Sequence, residues 1–250
     1  PLKQGLDRGR KLGEATNFAR DLVTHPPNVA VPAYLASEAR AMARKTGLLC
    51  EILNDRDVKR LGMEAFLSVA QGSVAPSKFI VLEHRGRNPT SAPIVLIGKG
   101  VTFDTGGLDI KPAASMRSMK TDMAGAAAVL GAMRAISELN IAQRVVGLAP
   151  CTENMISGRA NRPGDVVGSM AGLTVEIDNT DAEGRLILGD ALTYAKRYQP
   201  VAVVDAATLT GACVVALGES CTGLMGNHGE LIERIQKAAE CSGDRVWELP

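Results

Sequence analysis

The sequence predicts an α/β protein with a mixed, mainly parallel central sheet and helices on both faces. Three observations carry this. Apolar residues make up 46% of the 250, enough for a substantial core, so the chain is globular rather than disordered. Aromatic residues are only 3% against 26 glycines, which leaves a core of Val, Ile, Leu, Ala and Met, the mixture suited to strands covered on both sides. Short β-prone runs also alternate with helical periodicity, as right-handed crossovers require.

Taken in order, Leu2 to Thr24 reads as an amphipathic helix, with Leu6, Ala15, Phe18, Ala19 and Leu22 near helical spacing and His25-Pro26-Pro27-Asn28 stopping it. A second helix runs from Pro32 to about Lys45. Leu48 to Leu53, Phe66 to Ala70, Phe79 to Glu83 and Ile94 to Ile97 are short β-prone runs separated by polar, Gly or Pro punctuation, and are expected to be strands of one sheet. Met123 to Leu139 is Ala-rich and helical, and Val145 to Leu148 is a buried strand. Leu173 to Ile177 is a strand, Leu186 to Arg197 a helix, Val201 to Ala206 an apolar strand and Leu231 to Ala239 a helix. With no repeat, low-complexity tract or interdomain linker, residues 1–250 are expected to form a single domain.

Composition excludes several partner classes. A net charge of +1, from 28 basic and 27 acidic side chains spread along the chain, gives no field to steer polyanions or anionic membranes, so no nucleic acid and no membrane partner is expected. No apolar run is long and uninterrupted enough to span a bilayer, and no secretory leader is visible. Cys50, Cys151, Cys213, Cys221 and Cys241 form no CxxC pair and read as reduced, small buried hydrophobes in a cytoplasmic protein.

Sites on open α/β sheets lie beyond the carboxyl ends of strands, and two segments fit that placement. Gly98 to Asp122, after the Ile94 strand, carries Lys99, Asp104, Lys111 and Asp122. Asp178 to Arg185, after the Leu173 strand, carries Asp181 and Glu183 two apart, so an extended backbone would send both carboxylates to the same side. His25, His84 and His228 are too scattered for an HExxH helix or a compact Cys/His site, which leaves oxygen ligands to do most of any metal binding. Several carboxylates in one cleft repel one another unless cations neutralise them, and two bridged divalent ions roughly 3.5–4 Å apart do so. On spacing alone Lys99 reads as an ion-pair partner, since an ammonium ligates only after losing its proton. Singly, Asp122 also reads as a helix N-cap, Asp181 as part of an Asx turn, Lys111 as a solvated loop charge and Arg185 as a helix-surface residue.

KGVTFDTGGLDIKP, MKTDMAGAA and NTDAEGRLILGDAL together resemble the leucyl aminopeptidase family, dinuclear peptidases also called cytosol aminopeptidases. The similarity continues through GLAPCTENMISGRANRPGDVV and DAATLTGA and so covers nearly the whole chain. It implies Lys99, Asp104, Asp122, Asp181 and Glu183 as ligands of two divalent ions, with Asp104 and Glu183 bridging. The ions would be Mn²⁺ or Zn²⁺, with Mg²⁺ or Co²⁺ as further choices. It makes Lys111 the group that polarises the scissile carbonyl, and Arg185 the anchor of a bicarbonate acting as general base. Met119, Thr208 and Gly211 would line the pocket for the substrate's first side chain. For these three the residues alone read equally as core packing, a helix cap and a tight backbone contact.

The resemblance implies hydrolysis of peptides with a free N-terminus, leucine or other apolar residues preferred, by a homo-hexamer. Thr105, Ala124 and Gly189 stand where Ser, Gly and Ala are usual in the family, and none of them is a ligand. The family's N-terminal domain is expected to be absent from these residues, and Trp247-Glu-Leu-Pro250 to fall before the catalytic domain ends. Two other classes stay open: an inactive relative or assembly protein on the same fold, and a phosphate-binding α/β module suggested by Gly98-Lys99-Gly100. The second lacks the first Gly and the Ser/Thr of GxxxxGK[ST].

Overall fold

Alternation along Lys78–His84 decides how the layers assemble. Ile80 and Leu82 enter a core made with Leu22, Leu35, Ala39, Leu130 and Met133, whereas Phe79 points the other way, its ring 6.1 Å from Phe66 and 5.0 Å from Tyr194. The strand is therefore apolar on both sides, and full burial of each large side chain contributes roughly 1.5–3 kcal/mol.

The computed structural model describes residues 2–250, which divide into compact units at 2–208 and 209–250. In the first unit, helices α1 (Leu2–Thr24) and α2 (Pro32–Thr46) precede strand β1 (Leu49–Leu53). Then come α3 (Asp55–Arg60), α4 (Glu64–Ala70), β2 (Lys78–His84), β3 (Ile94–Gly98), β4 (Gly100–Asp104), α5 (Ala113–Met116), α6 (Ala124–Glu138) and β5 (Val145–Asn154). Next follow β6 (Val166–Gly168), β7 (Thr174–Glu176), α7 (Glu183–Ala195) and β8 (Ala202–Ala206). Pro32 opens α2, where its missing N–H costs nothing, and Gly47 closes it at φ 78°. The six-stranded sheet runs β1-β2-β5-β3-β8, with β4 also on β5. β1–β2 and β2–β5 are antiparallel, while β3–β5, β4–β5 and β3–β8 are parallel. Helices α1, α2 and α6 cover one face and α4 and α7 the other, the α/β arrangement expected from sequence.

β3 and β4 are one strand interrupted at Lys99. Both run parallel to β5, and the Lys99 amide bonds the Ala206 carbonyl of β8 while its carbonyl accepts from Ala126 of α6. Only glycine permits this approach of helix to strand. A Cβ on Gly125 would lie 2.0 Å from the Ala206 oxygen, and one on Gly98 2.3 Å from the Gly125 oxygen.

Three sequence expectations change. Phe66–Ala70 lies in α4 rather than in a strand, because Asp190 on α7 accepts a hydrogen bond from the Phe66 amide and α4 packs on α7. The Leu173–Ile177 strand exists as β7 but pairs with β6 in a separate two-stranded sheet. Residues 178–185 consequently do not follow a strand of the central sheet.

The second unit holds α8 (Gly211–Leu217), β9 (Thr222–Leu224), α9 (Gly229–Ser242) and β10 (Val246–Glu248), with β9 and β10 parallel. Thr210 caps α8 by accepting from the Ala212 amide, and Ile232 and Ala239 supply the buried side of α9. No helix among the described residues is long and apolar enough to cross a membrane.

The glycines yield a paired test. Gly125→Ala, whose methyl meets backbone that cannot step aside, should destabilise the chain by roughly 1–3 kcal/mol or more. Gly189→Ala, within α7 and with open space around it, should stabilise by about 0.5–1 kcal/mol. Urea titrations measure both, and equal effects would contradict the close helix–strand contact.

Candidate metal centre

The break after β3 aims Lys99 into a cleft at the carboxyl ends of the parallel strands, where Asp104 ends β4, Asn154 ends β5 and Thr208 follows β8. Lys99 is 3% exposed. Its Nζ lies 2.8 Å from Asp122 Oδ2 and 2.8 Å from Glu183 Oε1, and donates to the Thr208 carbonyl at 2.9 Å. The Thr208 hydroxyl in turn donates to Asp122 Oδ1 at 2.7 Å. Asp122 leaves a 3₁₀ turn, Met119–Thr121, just ahead of α6 and does not cap that helix. The cap of α8 is Thr210, not Thr208.

Beyond β4 the chain reverses through Gly106 and Gly107, whose φ values of +85° and +67° exclude most side chains. The turn brings Lys111 back over Asp104: its Nζ is 3.0 Å from Asp104 Oδ2 and 2.5 Å from Asp181 Oδ1. Thr105 keeps the hydroxyl that serine would supply, donating to the Asn154 carbonyl at 2.9 Å and accepting from the Gly107 amide at 3.2 Å.

Residues 178–185 are not extended. Asn179 caps a 3₁₀ turn at Thr180–Ala182 by accepting from the Asp181 amide at 2.7 Å, and the turn runs straight into α7 at Glu183. Asp181 and Glu183 therefore meet different ammonium groups, Lys111 and Lys99 respectively, instead of leaving one side of a strand. All five expected ligands still belong to one connected cluster. Asp104, Asp122 and Glu183 each offer an oxygen within 4.8 Å of the others.

This cluster fits divalent cations. Glu183 Oε2 is buried with no polar partner, and the buried oxygens Asp122 Oδ2, Asp181 Oδ1 and Glu183 Oε1 are each met only by a lysine ammonium. Such oxygens are costly unless further positive charge reaches them. Burial, against the pull of Lys99, raises the Asp122 carboxyl to about 6 and that of Glu183 to about 7, with Asp104 adding repulsion to both. Burial alone would lower Lys99, but the charges of Glu183 and Asp122 outweigh it and hold the ammonium above its usual range. Burial likewise opposes the Lys111 ammonium most, but the hydrogen bonds and charges of Asp181 and Asp104 together raise it.

Among the remaining expected residues, Arg185 is exposed in the first turn of α7 and makes no ion pair among the described residues. Met119 is half-buried at the start of the 3₁₀ turn before Asp122. Gly211 opens α8 in the second unit, where a Cβ would meet nothing within 4 Å, so no tight backbone contact demands glycine there. Asn154, Thr180 and Asp190 escaped the sequence reading. Each is buried and polar, and the strand expected over Val145 to Leu148 stops short of Asn154, which ends it in the structure.

The model of the cytosol aminopeptidase family, catalytic domain, matches residues 17–250. A probable cytosol aminopeptidase of Geotalea uraniireducens is 55% identical over 237 residues, covering 95% of this chain and 48% of its own length. One from Methylobacillus flagellatus is 52% identical over 248 residues, covering 99% and 50%. The cytosol aminopeptidase of Pseudomonas aeruginosa is 50% identical over 250 residues, covering 100% and 50%. The chain thus spans about half the length of the curated relatives it matches.

The raised carboxyls make a signed prediction for the metal-free chain. Glu183 binds its proton more tightly folded than unfolded, so this contribution to stability is fully present below its ordinary value of 4.5 and is lost as pH rises through about 7. Glu183→Gln should therefore match wild type near the acid end and exceed it by a few kcal/mol above neutrality. Denaturant titrations of both proteins across that range measure the difference, and a gap independent of pH would contradict the burial argument.

Proposed function

The chain belongs to the cytosol aminopeptidase family, and on that premise we propose that the cluster around Lys99 is the two-cation centre of an aminopeptidase releasing leucine and other apolar N-terminal residues from peptides. The observation that carries the proposal is the convergence of Asp104, Asp122 and Glu183, with Glu183 Oε2 buried and unpartnered and the neighbouring acid oxygens met only by lysine. Lys99, Asp104, Asp122, Asp181 and Glu183 would hold the ions, Mn²⁺ or Zn²⁺ with Mg²⁺ or Co²⁺ as further choices, because oxygen ligands suit hard cations and an amine also suits zinc. Lys99 can ligate only as a neutral amine, a form its burial favours but the charges of Glu183 and Asp122 oppose until cations take those carboxylates. Bound cations would supply Lewis-acid pull on the scissile carbonyl and lower the pKa of a water to about 7.

Lys111 reaches the same carboxylates from the loop side and is the fixed cation that stabilises negative charge developing on the substrate's carbonyl oxygen. Arg185, two residues past Glu183 and without an ion pair among the described residues, presents a planar fork suited to bicarbonate, which would serve as general base. Met119 precedes Asp122 by three residues and Thr208 bonds it, which supports both as walls of the pocket for the substrate's first side chain. Homo-hexameric assembly follows from the resemblance alone, and a cytosolic location is supported by the names of the relatives.

The geometry favours this reading over a phosphate-binding module. Gly98-Lys99-Gly100 is a strand interruption whose lysine lies between two carboxylates, not a loop of free amides leading into a helix.

Leucyl-peptide hydrolysis should vanish on chelation and return with Mn²⁺, Zn²⁺, Mg²⁺ or Co²⁺, and an N-acetylated peptide should be a poor substrate. Lys111→Ala should lower kcat about 10²–10³-fold while metal uptake persists. Full hydrolysis by the chelated protein would eliminate the proposal.

A further inference from the structure

Asn154 ends β5 directly across from Asp104 in the β4–β5 register and is 6% exposed. Its Nδ2 donates to Asp104 Oδ1 at 2.8 Å and to the Thr180 carbonyl at 3.1 Å. Both partners are acceptors, so the orientation of the amide is fixed: turned over, its oxygen would face two oxygens. Asp104 Oδ1 also accepts from the Gly106 amide at 2.8 Å, which occupies it with two N–H donors. Oδ2, by contrast, takes no N–H from the backbone or from Asn154 and pairs with the Lys111 ammonium. The second bond of Asn154 ends on the residue just before Asp181, in the turn that leads to Glu183.

Thr180 reinforces this junction. Its hydroxyl donates to the Gly106 carbonyl at 2.6 Å and accepts from the Asp109 amide at 2.9 Å, while its own amide donates to Asp109 Oδ2 at 2.7 Å. Two stretches of chain carrying proposed ligands, the Asp104 loop and the Asp181–Glu183 turn, are thereby joined to the end of β5 by the neutral side chains of Asn154 and Thr180.

We infer that Asn154 is a positioning residue of the metal centre: its amide keeps Asp104 Oδ1 occupied, which would leave Oδ2 to the cations, and ties the Asp181–Glu183 turn to that carboxylate. This rests on the two-cation reading. Partners that orient ligating carboxylates typically account for 10–100-fold in metal affinity.

Mn²⁺ titration of the full-length protein by calorimetry tests it, comparing wild type with Asn154→Leu, close in size but without donors. Asn161→Ala is the control: Asn161 is a buried asparagine bonded to Ser68 and Gln71 rather than to any ligand. Asn154→Leu should bind Mn²⁺ roughly 10–100-fold more weakly, with circular dichroism unchanged, and should lose kcat with little change in KM. Asn161→Ala should lose thermal stability but retain wild-type Mn²⁺ affinity. Should Asn154→Leu fail to fold, Asn154→Ser, which keeps one donor on a shorter arm, carries the same comparison. Wild-type affinity in the folded Asn154 variant, or an equal loss in Asn161→Ala, would overturn the positioning role while leaving the two-cation reading intact. No Mn²⁺ uptake by wild type would defeat both.

Discussion

Four carboxylates and two ammonium groups held in one cleft set the terms for the rest of the N-terminal unit. Three of the acids place oxygens within 4.8 Å of one another, where each like-charged pair repels by at least roughly 3 kcal/mol at an effective dielectric of about 20. Two lysines offset that repulsion, but burial still raises the carboxyls of Asp122 and Glu183, with Asp104 adding a smaller contribution. A chain free to relax would let these groups drift apart into water. The scaffold must therefore be stiff where the ligands attach, and must draw that stiffness from contacts that do not involve the charges.

Two such contacts are visible. The first is the seating of α6 against the interrupted β3–β4 strand, where Gly98 and Gly125 bring backbone to backbone and the Lys99 amide and carbonyl are both bonded, to Ala206 and Ala126. This fixes Lys99 and, through the turn leading into α6, Asp122. The second lies on the opposite face of the sheet. Asp190, buried on α7, accepts from the amides of Phe66 and Met170, locking the helix that begins with Glu183 onto α4 and the loop after β6. Burial pushes the Asp190 carboxyl upward while these amide bonds pull it back, the balance expected of a structural acid satisfied by backbone rather than by a cation.

How much of this was legible varied with the range of the interaction. The Ile80/Leu82 against Phe79 alternation and the long amphipathic repeats of α1 and α6 are local signals, and they located their elements to within a residue or two. Phe66–Ala70 is a helix rather than a strand: so short a run, four apolar residues around Ser68, fits either period, and the deciding bond comes from Asp190, 124 residues away. Residues 181–183 were misread as extended because the Asn179 cap and the Thr180 bonds that wind them up were not recognised. The residues proposed as ligands come from family resemblance, not spacing: Lys99 looks like an ordinary ion-pair lysine until three acids are placed around one cleft. Asn154 left almost no trace, since an uncharged residue in a strand carries no composition or period signal.

That neutrality is itself explicable. A lysine at position 154 would satisfy Asp104 Oδ1 but would add a third ammonium to a cluster already neutralised in part by Lys99 and Lys111, weakening its pull on cations. An aspartate would add repulsion where it is already greatest. An amide donates to two oxygens without changing the charge, so the hydrogen-bond geometry of Asp104 and the net charge of the cleft can be set independently. Charge is carried by residues facing the cleft and orientation by uncharged ones behind it. Asn154 behind Asp104, the Thr208 hydroxyl behind Asp122 and the Asn179 cap behind Asp181 follow the same division. A cluster built in this way retains its net negative charge while remaining rigid, which is the combination that selective binding of hard cations requires.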